Sequence, residues 1–176
     1  CVVRATTEMG ELVQTFLDRF KLKHFVRDYS FDELGLLLSI NAEKMKLTIS
    51  DDALHTVAKV SRGTPRIANN FLEWLRDYKI AHDLQGLHKS EATQALEMQG
   101  IDENGLNPID REYMAVLKNL PKGSAIGVNT LCSALSVDKQ TIEQKIEPYL
   151  LKCGYIGRTS KGRVLMDHGK NTREYR

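Results

Sequence analysis

Within this chain of 176 residues, the stretch best suited to holding an anion is Arg62-Gly63-Thr64-Pro65-Arg66. Thr64 and Pro65 supply a cap and a first-turn proline, so Arg66 falls in the first turn of the helix they start. The unpaired N–H groups and the positive end of the helix dipole favour negative charge there, and a phosphate is the natural guest. An ordinary capped helix with a solvent-facing arginine fits the same residues. A second cationic group, Arg158, Lys161 and Arg163, surrounds the turn Thr159-Ser160-Lys161-Gly162. Both arginines can then face one backbone strand of a nucleic acid, with Lys161 between them. Phosphate contacts of that kind bind in a salt-dependent, sequence-independent way. A basic hairpin without a partner remains open from the residues alone. No aromatic stacking platform is evident, which argues against single-strand specificity. His24, His55, His82, His88 and His168 show no metal-ligand spacing, and no carboxylate pair is placed for acid–base work, so no metal site is expected.

The elements that must position these groups are mostly helices. Residues 1 to 29 begin with the β-branched run Cys1-Val2-Val3 and continue at helical spacing through Leu12, Val13, Phe16 and Leu17, like the end of a larger domain. Ser30 with Glu33 makes a capping box before Leu34, Leu37, Leu38 and Ile40, and Ser50-Asp51-Asp52 opens a second helix through Leu54 and Val57. That helix stops at Gly63, and the one begun by Thr64-Pro65 turns Ile67, Ala68, Phe71, Leu72 and Leu75 inward. A fourth helix fits Ser90 to Gly100. The polar run Ile101 to Leu106 breaks the periodicity and reads as a linker. Beyond it Asn107-Pro108, Asn129 and Asp138 open three further helices. Tyr155-Ile156 and Val164-Leu165-Met166 then flank the basic turn as a β-hairpin. The expected fold is therefore mainly α: a helical lid over residues 30–102, then a winged helix with a small hairpin wing over residues 103–176, after a remnant at 1–29.

Composition narrows the function classes. An apolar share of 41% and a charged share of 27% fit a globular protein, and no apolar run approaches the ~20 residues of a membrane-spanning helix. No membrane role is expected. Three cysteines without a Cys-x-x-Cys pair suggest neither a disulfide framework nor a zinc site, and a reducing cytoplasm is the default. The chain has no initiator methionine and no signal-peptide pattern, and it reads as part of a longer one. Net charge is only +2, yet residues 152–176 carry +5 and the rest −3, an asymmetry that suits a polyanion partner as well as a solvated tail.

The run Ser61-Arg62-Gly63-Thr64-Pro65-Arg66-Ile67-Ala68-Asn69 resembles the sensor-2 signature of the RuvB family, hexameric AAA+ motors of bacteria. Ala5-Thr6-Thr7 and Asp18-Arg19-Phe20 are similar to the family's sensor-1 turn and the end of its large ATPase domain. Glu147-Pro148-Tyr149-Leu150, Gly154-Tyr155 and Arg158 to Arg163 resemble its closing helix and wing. The resemblance runs through nearly the whole chain in order. It implies ATP-dependent branch migration of Holliday junctions in recombination and repair, with RuvA and RuvC as partners and a homohexamer as the working form. It implies that Arg19, Tyr29 and Arg66 bind ATP or ADP, with Thr6 or Thr7 near the γ-phosphate, and that Arg158, Lys161 and Arg163 bind junction or duplex DNA. By residue type alone, Tyr29 also suits a rim aromatic and Arg19 a surface ion pair with Asp18.

The chain departs from the family in two respects. No Gly-x-x-x-x-Gly-Lys-Ser/Thr loop and no Walker-B acidic strand occurs in it, so the Mg²⁺ ligands are elsewhere and this chain alone is not expected to hydrolyse ATP. Leu17 stands where the family carries an arginine, a candidate trans-acting finger worth a factor of roughly 10³–10⁵ in rate. Glu8 and Asn70 likewise replace basic residues. Two other readings compete: the lid and winged helix of an initiator or clamp-loader AAA+ protein, and a stand-alone DNA-binding module without enzymatic activity. A phosphate-binding loop encoded upstream would exclude the module.

Overall fold

The computed structural model describes residue 5, residues 13–121 and residues 123–167. Thr6 and Thr7 lie outside the described residues. The first helix, α1 (Gln14–Leu17), is a single turn with no buried residue. Among the described residues its apolar side chains join neither core: Phe16 packs on Phe20 at 5.3 Å, and beyond them Phe25 and Val26 stay exposed.

Four helices form the first packed body: α2 (Phe31–Lys44), α3 (Asp51–Val60), α4 (Pro65–Ala81) and α5 (Lys89–Met98). Local chemistry starts three of them. Ser30 Oγ accepts from Glu33 N at 3.2 Å while Ser30 N donates to Glu33 Oε2 at 2.8 Å, and Arg27 forks onto the same carboxylate at 2.7 and 2.8 Å. The hydrogen bonds from Arg27 and Ser30 hold the Glu33 carboxyl at about 2, well below the ordinary range. Ser50 Oγ caps α3, and Glu91 reaches back to His88 N, so α5 begins one residue before the expected Ser90. α4 differs in detail: Pro65 starts it, but the Thr64 side chain makes no capping bond. Leu34, Leu38, Leu54, Val57, Ala68, Leu72, Leu75 and Ala92 fill the core, and the strand-like bridge Ile49↔Leu87 ties the loops.

The second body is α6 (Pro108–Lys118), α7 (Val128–Leu135), then α8 (Lys139–Thr141), a π turn over Ile142–Ile146 and α9 (Glu147–Lys152), followed by the antiparallel pair β1 (Ile156–Thr159) and β2 (Gly162–Leu165). This is the winged-helix arrangement expected from the sequence. Asn107 and Asp110 close a reciprocal capping box on α6, and Asp138 caps α8. α7 starts one residue ahead of Asn129, from Gly127. Ile126 extends the hairpin by one bridge, exchanging bonds of 3.0 and 2.8 Å with Arg163.

The run read as a linker is instead an ordered turn. Asp102 Oδ1 accepts from Asn104 N and Leu106 N, both at 2.9 Å, and Leu106 enters the second core fully buried. A short polar run lacks helical periodicity whether it hangs free or folds on its own carboxylate, so pattern alone does not separate the two. Among the described residues no helix is long and apolar enough to cross a membrane.

Candidate nucleic-acid interface and anion-facing turn

The turn joining α3 to α4 places its two arginines in opposite surroundings. Arg66 lies exposed in the first turn of α4, with no ion pair or hydrogen-bond partner among the described residues. A free guanidinium beside unpaired helix N–H groups is a plain anion receptor. Tyr29 comes to the same turn, because its N–H donates to Gly63 O at 2.9 Å, and the residue remains 42% exposed. Arg19 follows α1 and is exposed. No hydrogen bond or ion pair joins its side chain to Tyr29 or Arg66 among the described residues.

Arg62 points the other way, into the winged helix. Its Nε and Nη2 donate to Gly105 O at 3.1 and 2.6 Å, Nη2 also reaches Asp110 Oδ2 at 2.5 Å, and the guanidinium lies 4.2 Å over the Tyr149 ring. Tyr149 Oη donates to Asn104 O at 2.7 Å, and Lys152 pairs with Asp28 at 2.6 Å. Arg62 adopts a left-handed φ of 57°, which these contacts hold in place. Asp110 is fully buried and its Oδ1 has no partner, so burial raises its pKa in spite of Arg62.

On the wing, Arg158 and Arg163 are cross-strand partners, so both side chains leave the same face of the hairpin. Their heads converge on Glu147, which is fully buried at the start of α9. Arg158 donates through Nε at 2.8 Å and through Nη2, while Arg163 donates from Nε at 2.8 Å and reaches Glu143 at 3.1 Å. Tyr113 Oη donates to the same carboxylate at 2.8 Å. The two arginines are unequal in consequence: the Arg158 side chain is 48% exposed and that of Arg163 only 14%. Lys161 sits exposed at the tip, its backbone N–H bonded to Thr159 Oγ1. Burial and the bond to Glu147 push the Tyr113 phenol up, and the Glu147 bond raises Arg163 further.

Nothing in the sequence singled out Tyr113 or Asp110, and Glu147, Arg62 and Tyr149 stood only within longer runs, with no role of their own. The available signal was an acid in the midst of Ile142, Ile146 and Leu150, on an otherwise apolar face. The π turn over Ile142–Ile146 obscures it, because it shifts the helical register just before Glu147, which is buried beside Ile146.

Burial alone would raise the Glu147 pKa, but the bonds from Arg163, Arg158 and Tyr113 more than offset it, leaving the carboxyl below its ordinary 4.5. Its stabilising contribution is complete above that value and disappears as pH falls through the lower folded one. Asp110, shifted upward, acts with the opposite sign. We expect Glu147→Gln to flatten the acid-unfolding limb below pH 4.5, followed by circular dichroism. Superimposable limbs would remove Glu147 from the acid-labile groups.

Among the described residues no group of three or more His, Cys, Asp or Glu side chains is placed to hold a metal ion. Residues 29–102 match the model of the RuvB AAA lid domain and residues 103–173 that of the RuvB C-terminal winged helix domain. The Holliday junction branch migration complex subunit RuvB of Bdellovibrio bacteriovorus is 35% identical over 171 residues, covering 97% of this chain and 52% of the relative. That of Synechococcus sp. is 36% identical over 169 residues, covering 96% and 49%. The Thermotoga maritima RuvB Holliday junction branch migration motor superposes with a TM-score of 0.82 at 30% identity, over 91% of this chain and 54% of that one. The chain thus spans about half the length of the relatives it matches.

Proposed function

This chain belongs to the RuvB family, and from that premise we propose that it forms the lid and DNA-gripping part of an ATP-dependent motor that migrates Holliday junctions. Residues 30–102 serve as the lid, 103–176 as the winged-helix head, and 1–29 as the end of a large ATPase domain. The observation that carries the reading is the hairpin of a RuvB-like winged helix with Arg158 half exposed and Lys161 exposed at its tip.

The residues present fit one edge of a nucleotide. Arg66, without a partner among the described residues at the N-terminus of α4, would take a phosphate oxygen, and the exposed Tyr29 beside Gly63 would pack on a base. Arg19 would add a second cation, and Thr6 or Thr7 a hydroxyl near the γ-phosphate. ATP with Mg²⁺, when bound, would supply the free energy of phosphoryl transfer, and ADP would occupy the same site as its product. The phosphate-binding loop and Mg²⁺ ligands are not in this chain, which alone does not hydrolyse ATP. The working form is a homohexamer in the cytoplasm, with RuvA and RuvC as partners.

Arg158, Lys161 and Arg163 form the cationic set that meets duplex backbone. Fluorescence anisotropy of the chain with a four-way junction and with linear duplex of equal length, across a salt series, tests this. Binding should fall on both, with a log–log slope of about −0.9 per phosphate contact. Absence of binding at low salt, or binding indifferent to salt, would sink the DNA role.

A further inference from the structure

We propose that Arg62 is a positioning residue for the anion-facing turn: it sets the start of α4, and with it Arg66, by anchoring on the winged helix, so that an anion held at Arg66 is felt in the second body. The inference rests on the nucleotide reading above and adds what holds that site in place. Arg62 and Gly63 are consecutive left-handed residues, φ 57° and 80°, just ahead of the helix that presents Arg66. A residue other than glycine stays in that region only where its surroundings fix it. Here they belong to the second body: Arg62 forks onto Gly105 O and Asp110 and stacks on Tyr149, its side chain only 15% exposed. The segment bearing Tyr29 is tied to the same point. Tyr29 N bonds to Gly63 O, Asp28 pairs with Lys152 of α9, and a Cβ on Gly63 would meet Asp28 Cβ at 2.9 Å and Lys152 Nζ at 3.3 Å.

The two helices gripped by this turn are also the two that hold the wing. α6, which carries Asp110, carries Tyr113 as well, and α9, which carries Tyr149 and Lys152, begins at Glu147. Tyr113 and both wing arginines meet on that carboxylate. Packed and hydrogen-bonded contacts thus run without a break from the start of α4 to β1 and β2, and coupling between distant sites is carried by contiguous networks of this kind. Charge decides between this role and simple electrostatics. Arg62→Lys keeps the charge and Asp110→Asn removes a negative one, so electrostatics alone predicts unchanged anion binding in the first and tighter binding in the second. A positioning role predicts weaker binding in both, by roughly fivefold.

Inorganic pyrophosphate is the probe, and backbone amide NMR of the chain is the readout. In the unaltered chain, pyrophosphate should shift the amides of Arg66 and Ile67 and, across the interface, those of Gly105, Asp110 and Tyr149. Arg66→Ala should abolish both sets, which assigns them to this turn and not to pyrophosphate on the wing. Arg62→Lys and Asp110→Asn, each compared at a temperature where circular dichroism shows it folded, should bind more weakly and lose the shifts across the interface. Should either variant fail to fold, the unaltered chain and Arg66→Ala decide. Shifts that stop within α4, shifts across the interface that survive Arg66→Ala, or Arg62→Lys binding as tightly as the parent chain overturn the link and leave the anion reading standing. No shift at Arg66 or Ile67 removes the anion reading, and this inference with it.

Discussion

Arg62→Ala is expected to lower the unfolding free energy of this chain by about 3–5 kcal/mol, the usual cost of removing one partner from a buried ion pair. Asp110 is fully buried, one of its oxygens already lacks a partner, and the other depends on Arg62 and on Asn107 N. The truncation also strips two bonds from Gly105 O and uncovers the Tyr149 ring. Lysine cannot restore these, since one ammonium does not fork onto two acceptors while stacking on an aromatic face. Urea unfolding provides the measurement. Trp74, the single tryptophan, lies in the first body with Nε1 bonded to Ala95 O, so its fluorescence reports that body while circular dichroism reports both. We expect coincident transitions in the parent chain and separated ones in Arg62→Ala. A loss under about 1 kcal/mol, typical of a surface pair, with transitions still coincident, would show that Arg62 does not hold the two bodies together.

Gly162→Ala is the second large effect, expected at about 2–4 kcal/mol, because backbone strain of about 1–3 kcal/mol combines with a steric clash. Gly162 adopts φ 135°, a region that side chains rarely enter, and a Cβ there would run into the carbonyl of Ile126. That carbonyl accepts from Arg163 N, so the clash parts β2 from its second neighbour and shifts the wing. Thermal unfolding and the DNA salt series read the two consequences: a lower midpoint, and affinity lost together with slope. Gly127→Ala is the comparison, since Gly127 has φ −72° and open space at its Cβ, and we expect it to change little. Equal behaviour of the two variants would mean that the hairpin tolerates the displacement.

The arginines of this chain divide by how far they lie from the groups that decide their role. Arg66 could be assigned to a helix N-terminus from sequence because Thr64 and Pro65 stand directly before it, and the structure leaves it there, exposed. The hairpin carrying Arg158 and Arg163 was legible for the same reason: two apolar runs and a glycine-containing turn within about a dozen residues. Arg62 belongs to the same nine-residue run, yet its partners are 43 and 48 positions away, and nothing local pointed to them.

Helix starts at Ser30, Ser50, Asn107 and Asp138, the prolines at 65 and 108, and the helical-then-hairpin order followed from interactions spanning three or four residues, which a sequence states directly. The docking of the supposed linker, the burial of Glu147 through a π turn and the inward engagement of Arg163 did not. A charged side chain is driven inside only when distant segments bring it enough donors to replace water, and those distances exist only after the chain has packed.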